Sequence, residues 1–475
     1  MRAPMLFACI LSLAAALPCA GADSVTGWRA NWTGRFPDVE PMLKWSEQEN
    51  VVWKEATPGW GNATPVIVGD RVFYSAEKMA LVCASLADGK VRWKKEVAYG
   101  DIFGEEEKPK IEEARTKTKE IENEMAPFNK DLRKVGKELR EVGKQLKKDK
   151  ENEELKAKSK ELKAKAAELK KKVNELRAKL KPFEKYKIPK TEGTNGYSSP
   201  TPVTDGTHVY ALYCPGIVAC YDMSGTRTWM VMTERPVDAW GHSASPVLVD
   251  GTLVVHVINV FGLDPATGKE KWKSPSRAHW GSPIPARIGD TGVVVTTNGE
   301  IIRASDGKIL AKGLFALTYG TPVVHDGVVY ALDGATGVAV KLPEAVEGDT
   351  AKTETVCKVK IKKDRYYASP LVHEGIVYAI TQKGVLSALD VKDGKKLYEQ
   401  QVKELGKGTT FPSLVLAGKN ILVSMDNGTT LVVKPGSTFE ILQTNKLDKF
   451  RTTPVFAGNR MVVRTLKNLY LIGAK

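Results

Sequence analysis

The chain is 475 residues long, 42% of them hydrophobic and 27% charged, with a formal net charge of +15. That composition is ordinary for a globular protein. It leaves no apolar run, after the N-terminal leader, near the roughly 20 residues of a membrane-spanning helix, so a transmembrane span is excluded there.

The first 22 residues read as a secretory signal peptide: Arg2, an apolar run from Met5 to Leu17, and Ala20-Gly21-Ala22 as a small-residue cleavage site. Export to the periplasm or the extracellular space is therefore expected. A lipid on Cys19 would add membrane association, but Pro18 directly before it suits a lipoprotein cleavage box poorly. Cys9 and Cys19 leave with the leader. Cys83, Cys214, Cys220 and Cys357 remain, all in apolar strand patterns, and read as buried free thiols. Cys214 and Cys220 flank Pro215-Gly216. A two-residue turn would set Cys214 opposite Ile217 and Cys220 opposite Ala211, which opposes a bond between the two. No Cys-x-x-Cys pair suggests zinc.

Residues 23–104 carry an N-terminal strap and the first copy of a repeat. Thr64-Pro65 opens a strand, Gly69-Asp70 turns it, and a β-branched run returns from Arg71. Such starts recur at Pro200, Pro246, Pro283, Pro322, Pro370, Pro412 and Pro454, a period of about 40 residues that marks an array of stacked all-β units. Proline at a strand's first residue is tolerated because no ladder donor is needed there.

Residues 105–186 interrupt the array. Leu132, Val135, Leu139, Val142 and Leu146 step by three and four, as do Leu162, Ala166, Leu169, Val173, Leu176 and Leu180. Two helices reversing near 147–152 as an antiparallel coiled-coil arm are expected, with Pro127 dividing or kinking the first. Between Glu105 and Lys190 there are 28 Lys/Arg against 19 Asp/Glu, which carries most of the net charge. The surplus could meet an anionic surface, but a solvated helix face accounts for it, and no aromatic interleaving supports nucleic acid.

Residues 187–475 hold the remaining repeats. Their fullest copy is Gly262-Leu263-Asp264-Pro265-Ala266-Thr267-Gly268-Lys269-Glu270-Lys271-Trp272: Asp264 and Thr267 can satisfy turn amides, Gly268 can take positive φ, and Trp272 can pack between units. Asp390, Gly394 and Tyr398 repeat it, and Trp93 and Trp229 end shorter copies. After Pro454 only three strands remain. The spare strand around Trp53, Asn50 to Lys54, would complete that last unit and remove two exposed sheet edges.

The Asp264 to Trp272 pattern resembles the tryptophan-docking motif of the quinoprotein (PQQ)-like eight-bladed β-propellers. Two groups carry that motif, quinone-dependent alcohol and glucose dehydrogenases and the propeller lipoprotein of the outer-membrane barrel-assembly machinery. The resemblance spans about 45–103 and 190–475. It implies an all-β, eight-bladed propeller closed by the N-terminal strand, with the helical hairpin as an insertion. Enzymes of that family would be expected to show adjacent cysteines, an Asp base and calcium ligands beneath a quinone. No Cys-Cys pair exists, and Asp222, Asp264 and Asp390 already have turn roles, which argues against PQQ, calcium and redox catalysis.

Other catalytic signatures fail too. Gly406-Lys407-Gly408-Thr409-Thr410 lacks the order of a phosphate loop, and the six histidines are scattered, with His325 and His373 read as solvent-exposed turn residues. No catalytic, cofactor or metal residue is assigned. One constellation remains. Residues three and four before each proline should converge at the channel mouth: Tyr197, His242, His279, Trp280 and Thr318, then Tyr319, Tyr366, Tyr367, Phe450 and Arg451, with Trp240 near them. Such a rim suits a sugar ring or an extended peptide, while packing between blades is the plainer reading. The expected function is an exported, non-enzymatic scaffold of the cell envelope with a protein or glycan ligand; a quinone-dependent dehydrogenase or a carbohydrate-binding propeller is the alternative.

Overall fold

The computed structural model describes residues 24–277 and 280–474. The expected signal peptide, with Cys9 and Cys19, and His279 lie outside the described residues. The chain forms two compact units, residues up to Glu96 with Lys190 onward, and Val97–Pro189.

The first unit is built from eight antiparallel four-stranded sheets, the blades, one of which gains a short parallel fifth strand at Arg35–Phe36. Blade 1 runs from Val66–Val68 to Val91–Glu96, and blades 2 to 7 open at Val203–Thr204, Val247–Val249, Ile284–Ile288, Val323–His325, Leu371–His373 and Val415–Ala417. Blade 8 has three C-terminal strands, from Val455–Ala457 to Asn468–Ile472, and takes its fourth from Val51–Ala56. In that pairing Trp53 faces Leu471 and Lys54 faces Tyr470. The N-terminal strand thus fills the place anticipated for it, running two residues further than Lys54. Hairpins tighten at Asp250-Gly251 (φ 45° and 66°) and Asp326-Gly327 (φ 49° and 71°), left-handed pairs that match strand twist.

Hydrogen bonds close the circle. Thr64 N–H donates to Thr201 Oγ1 (3.0 Å), Thr201 to Ser245 (3.0 Å), Ser245 to Ser282 (2.8 Å) and Ser282 to Thr321 (2.8 Å). The relay continues from Thr321 to Ser369 (3.1 Å), Ser369 to Ser413 (3.0 Å), Ser413 to Thr453 (3.2 Å) and Thr453 back to Thr64 (3.1 Å). Each blade contributes one link. The seam between blades 8 and 1 is packed like the others, with Val455, Val462 and Leu469 against Ile67, Val72 and Val82.

This relay corrects two strand starts. In blade 2 the hydroxyl is Thr201, so the opening proline is Pro202 rather than Pro200; in blade 7 it is Ser413, and Leu414 stands in the proline place while Pro412 lies upstream. The Cys214–Cys220 hairpin is also one residue out of the expected register. Tyr213 faces Ile217 and Cys220 faces Tyr210, because the turn has three residues, closed by Gly216 N–H on Tyr213 O (2.8 Å). All four described cysteines are free thiols.

On the outer strands each indole caps the next blade. Trp53 Nε1 donates to Leu86 O (3.0 Å), Trp93 to Met223 O (3.3 Å), Trp229 to Pro265 O (2.8 Å) and Trp272 to Ala304 O (2.9 Å). Asp264 Oδ1 accepts from Ala266 N and Thr267 N (2.9 Å each), which shapes the turn. Gly268 in that turn has φ 72°, and a Cβ there would lie 2.5 Å from Trp229. Asp390 Oδ1 likewise accepts from Lys392 N (2.8 Å), and Gly394 meets Val359. Tyr398, standing where the motif has Trp, packs against Phe439 (centroids 5.9 Å).

The second unit contains α1 (Lys108–Lys148) and α2 (Glu153–Leu180). Val135, Val142 and Leu162 are buried between them with Leu139, Leu146, Ala166 and Leu169 alongside. Asn152 caps α2 by accepting from Leu155 N (3.0 Å). Pro127 lies inside α1 and does not divide it. The unit is wider than 105–186 because Phe103 packs on Tyr99 (5.7 Å) and Tyr186 (5.1 Å), an aromatic base without helical periodicity. No helix among the described residues is long and apolar enough to cross a membrane.

Candidate binding site

The ring of hydroxyls is the floor of a cavity of about 490 Å³ at one end of the channel. Strand periodicity decides what surrounds it. Two residues before each hydroxyl, the side chain returns to the same face, and those positions are Asn62, Ser199, Ser243 and Trp280 in blades 1 to 4, then Tyr319, Tyr367, Phe411 and Arg451 in blades 5 to 8. All eight line the cavity. In blade 4 the residue between must lack a side chain: a Cβ on Gly281 would come within 2.1 Å of Gly320 O.

This register separates the sequence-derived rim into two sets. Trp280, Tyr319, Tyr367 and Arg451 meet at the cavity, and Trp240, 60% exposed, joins them from the loop before blade 3. His242, Tyr366 and Phe450 sit one residue earlier, on the opposite strand face, and are buried, whereas Thr318 is exposed outside the cavity lining. Tyr366 donates to Lys362 O (2.8 Å), and burial pushes the His242 imidazole down to about 3, so it stays neutral. Tyr197 fails for another reason. Counting from Pro200 instead of Pro202 placed it two residues too far out; its amide donates to Glu77 Oε1 (2.6 Å) and Lys78 lies over its ring (4.8 Å). The same slip at Pro412 hid Phe411.

The wall is asymmetric. Trp280 stacks on Tyr319 (5.5 Å, 16°), Tyr319 meets Tyr367 edge-on (4.9 Å), and Tyr367 stacks on Phe411 (5.1 Å, 28°). Two guanidiniums lie on this arc. Arg365 sits over Tyr319 (5.6 Å) and donates to Tyr367 Oη (3.2 Å), and Arg451 sits over Phe411 (5.7 Å). Across the cavity, Arg451 donates to Thr194 O (2.9 Å) and Asn195 Nδ2 to Trp240 O (3.0 Å), so the 191–196 loop tops the polar side. Its Glu192 accepts from Thr194 N (2.6 Å), a bond that lowers the carboxyl below its ordinary range.

The channel beneath is filled by the chain from Val25 to Phe36. Val25 bridges to Ile67 and Thr26 O accepts from Thr204 N (2.9 Å) on the way in; Arg35–Phe36 pairs parallel to Leu416 and Ala417 on the way out. Between them the chain reverses through four left-handed residues, Arg29 to Trp32 (φ 50–71°). Four such non-glycine conformations in a row persist only where surrounding contacts impose them. Trp32 packs into the cores of blades 2 to 5, and fully buried Arg29 donates to Pro370 O and Leu414 O (2.9 Å each). Trp28 lines the cavity from this reversal. At the far end Arg35 meets His325 Nδ1 (2.9 Å), and His325 and His373 are both partly buried, which corrects their reading as exposed turn residues. The one signal for this plug is the spacing of Trp28, Trp32 and Phe36 by four.

Chemically the cavity offers aromatic faces, hydroxyls, amides and two guanidiniums. Its described lining has no histidine or cysteine, and one carboxylate. Among the described residues no group of three or more His, Cys, Asp or Glu side chains is placed to hold a metal ion.

The family described as outer membrane protein assembly factor BamB matches residues 26–259, 215–311 and 258–468. A comparison with curated proteins returns no match. Among solved structures, the chain is similar to BamB from Moraxella catarrhalis, at 16% identity and TM-score 0.45 over 57% of this chain and 82% of that one. It is also similar to the computationally designed Ika8 protein, at 13% identity and TM-score 0.39 over 61% of this chain and 99% of that one. A third similarity is to quinohemoprotein alcohol dehydrogenase ADHIIG from Pseudomonas putida HK5, at 10% identity and TM-score 0.35 over 87% and 77% of the two chains.

Proposed function

The chain belongs to the outer membrane protein assembly factor BamB family, and from that premise we propose that it is an exported, non-enzymatic binding scaffold of the cell envelope. The bowl is where it engages its partner. The observation that carries this reading is the aromatic arc from Trp280 to Phe411 standing open above a rigid hydroxyl floor. Concave, largely apolar sites with a few fixed polar groups are what ligands occupy. Nothing in the described lining suits proton transfer: Glu192, the one acid, already accepts an amide and is held ionised.

The reading assigns no cofactor. A calcium ion beneath a quinone would call for convergent carboxylates, and the described lining gives a single one, which already accepts the Thr194 amide. The helical arm is assigned to solvation: its charged side chains pair along the helix, as Lys117 with Glu120 (2.9 Å) and Lys144 with Glu141 (3.1 Å).

A photo-cross-linking residue placed at Ser243, on the cavity lining, tests the site in intact envelopes against one placed at Lys269, on an exposed outer turn. Discrete adducts from position 243 that position 269 lacks are expected. Identical adduct patterns would remove the bowl from the account. Oxidation of an alcohol or sugar with an artificial electron acceptor after reconstitution with quinone and calcium would replace the scaffold by a dehydrogenase.

A further inference from the structure

Resting on that reading, we infer that the bowl takes the end of an acidic glycan, a sugar ring bearing a carboxylate. The floor argues for it first. Each of its eight hydroxyl oxygens accepts an amide N–H from the preceding blade, as Ser282 accepts from Ser245 (2.8 Å) and Ser369 from Thr321 (3.1 Å). Among the described residues none of these O–H groups finds a protein acceptor, although each side chain is almost wholly buried and faces the cavity. Each floor hydroxyl therefore keeps an unspent O–H donor and one free lone pair. A polyhydroxylated ligand, whose own O–H groups both accept and donate, can meet both.

The wall adds the other two requirements. Trp280, Tyr319, Tyr367 and Phe411 present ring faces and edges on one side only, which suits the flat C–H face of a pyranose. Arg365 and Arg451 flank that arc. Arg365 is exposed and spends one N–H on Tyr367, and Arg451 spends one on Thr194 while its Nε has no partner. Guanidinium forks of this kind match anionic oxygens, and on a sugar ring a carboxylate supplies them. The volume, about 490 Å³, suits a terminal sugar or two, and Trp28 beneath prevents a polymer from threading through.

The test uses the full chain on an array of uronate-terminated and neutral glycans, followed by calorimetry with digalacturonic acid and with its neutral counterpart, galactobiose. Every bound glycan should carry a carboxylate, and digalacturonic acid should bind at least tenfold more tightly than galactobiose. Arg365→Gln, at an exposed side chain that leaves the fold intact, should weaken the acid about tenfold and leave the neutral sugar unchanged. Trp280→Ala should weaken both. Equal binding of the two sugars, or an acid affinity indifferent to Arg365→Gln, would overturn the inference. So would an array with no bound glycan; persistence of the position-243 adducts in that case would leave the scaffold standing with a different ligand, and their absence would remove both.

Discussion

Blades 8, 1, 2 and 3 carry indoles on their outer strands, Trp53, Trp93, Trp229 and Trp272, and mostly small polar residues or Arg451 at the cavity. Blades 4 to 7 invert this: their outer strands hold Ala311, Cys357, Tyr398 and Gln443 at the matching positions, while the cavity receives Trp280, Tyr319, Tyr367 and Phe411. Both halves keep the same hydroxyl between those layers. The contrast separates two demands on one strand repeat. The hydroxyl position must bond its neighbour in every blade or the circle opens, so it varies only between Ser and Thr. The position two residues earlier makes no bond common to all blades, with Arg451 donating to Thr194 O (2.9 Å) and Ser243 to Trp280 O (2.9 Å), and is free to vary with the needs of a ligand.

Substitutions on the two layers should therefore break different properties. The largest effect is expected in the indole half. Gly268→Ala forces a Cβ to within 2.5 Å of Trp229 at φ 72°, and should lower unfolding free energy by about 3 kcal/mol in urea titrations without changing ligand affinity. Next comes the shared floor. Ser282→Ala leaves the Ser245 N–H buried without its acceptor, at a cost of about 2 kcal/mol, measurable as a lowered denaturation midpoint. In the aromatic half, Trp280→Ala should do the reverse, costing at least about tenfold in affinity and less than about 1 kcal/mol in stability, since the side chain is only partly buried. The smallest effect at neutral pH is a slope. His242 is held neutral down to about pH 3 by burial, with His256 opposing its charge further, whereas the unfolded imidazole titrates near its ordinary 6.5. Above that value the group contributes nothing to the pH dependence. As pH falls from 6.5 toward 3 the unfolded chain gains a proton the folded one refuses, so stability declines by up to about 1.4 kcal/mol per pH unit, and His242→Asn should flatten that slope.

Much of this was legible in the repeat. Pro65, Pro246, Pro283, Pro322, Pro370 and Pro454 mark their blades because a proline there costs no ladder bond, and the strap strand around Trp53 was implied by the missing fourth strand at the C-terminus. The two blades where a second proline or a leucine intrudes were misregistered, and in a strand a two-residue slip keeps the facing right while naming the wrong residue. Tyr197 and Phe411 are that error. His242 and Tyr366 are a different one, since counting both three and four residues back ignores that adjacent side chains point to opposite faces. The plug was illegible because its reversal rests on left-handed backbone at Arg29 to Trp32, which no propensity announces and only the surrounding blades stabilise.

The most direct measurement is capture of cross-linked partners from cell envelopes by the wild type and by the Trp280→Ala/Tyr367→Ala double variant, with melting temperatures recorded on the same preparations. Loss of the captured partners at an unchanged melting temperature is the predicted result. Unchanged capture by a folded double variant would contradict the assignment of the aromatic arc to binding.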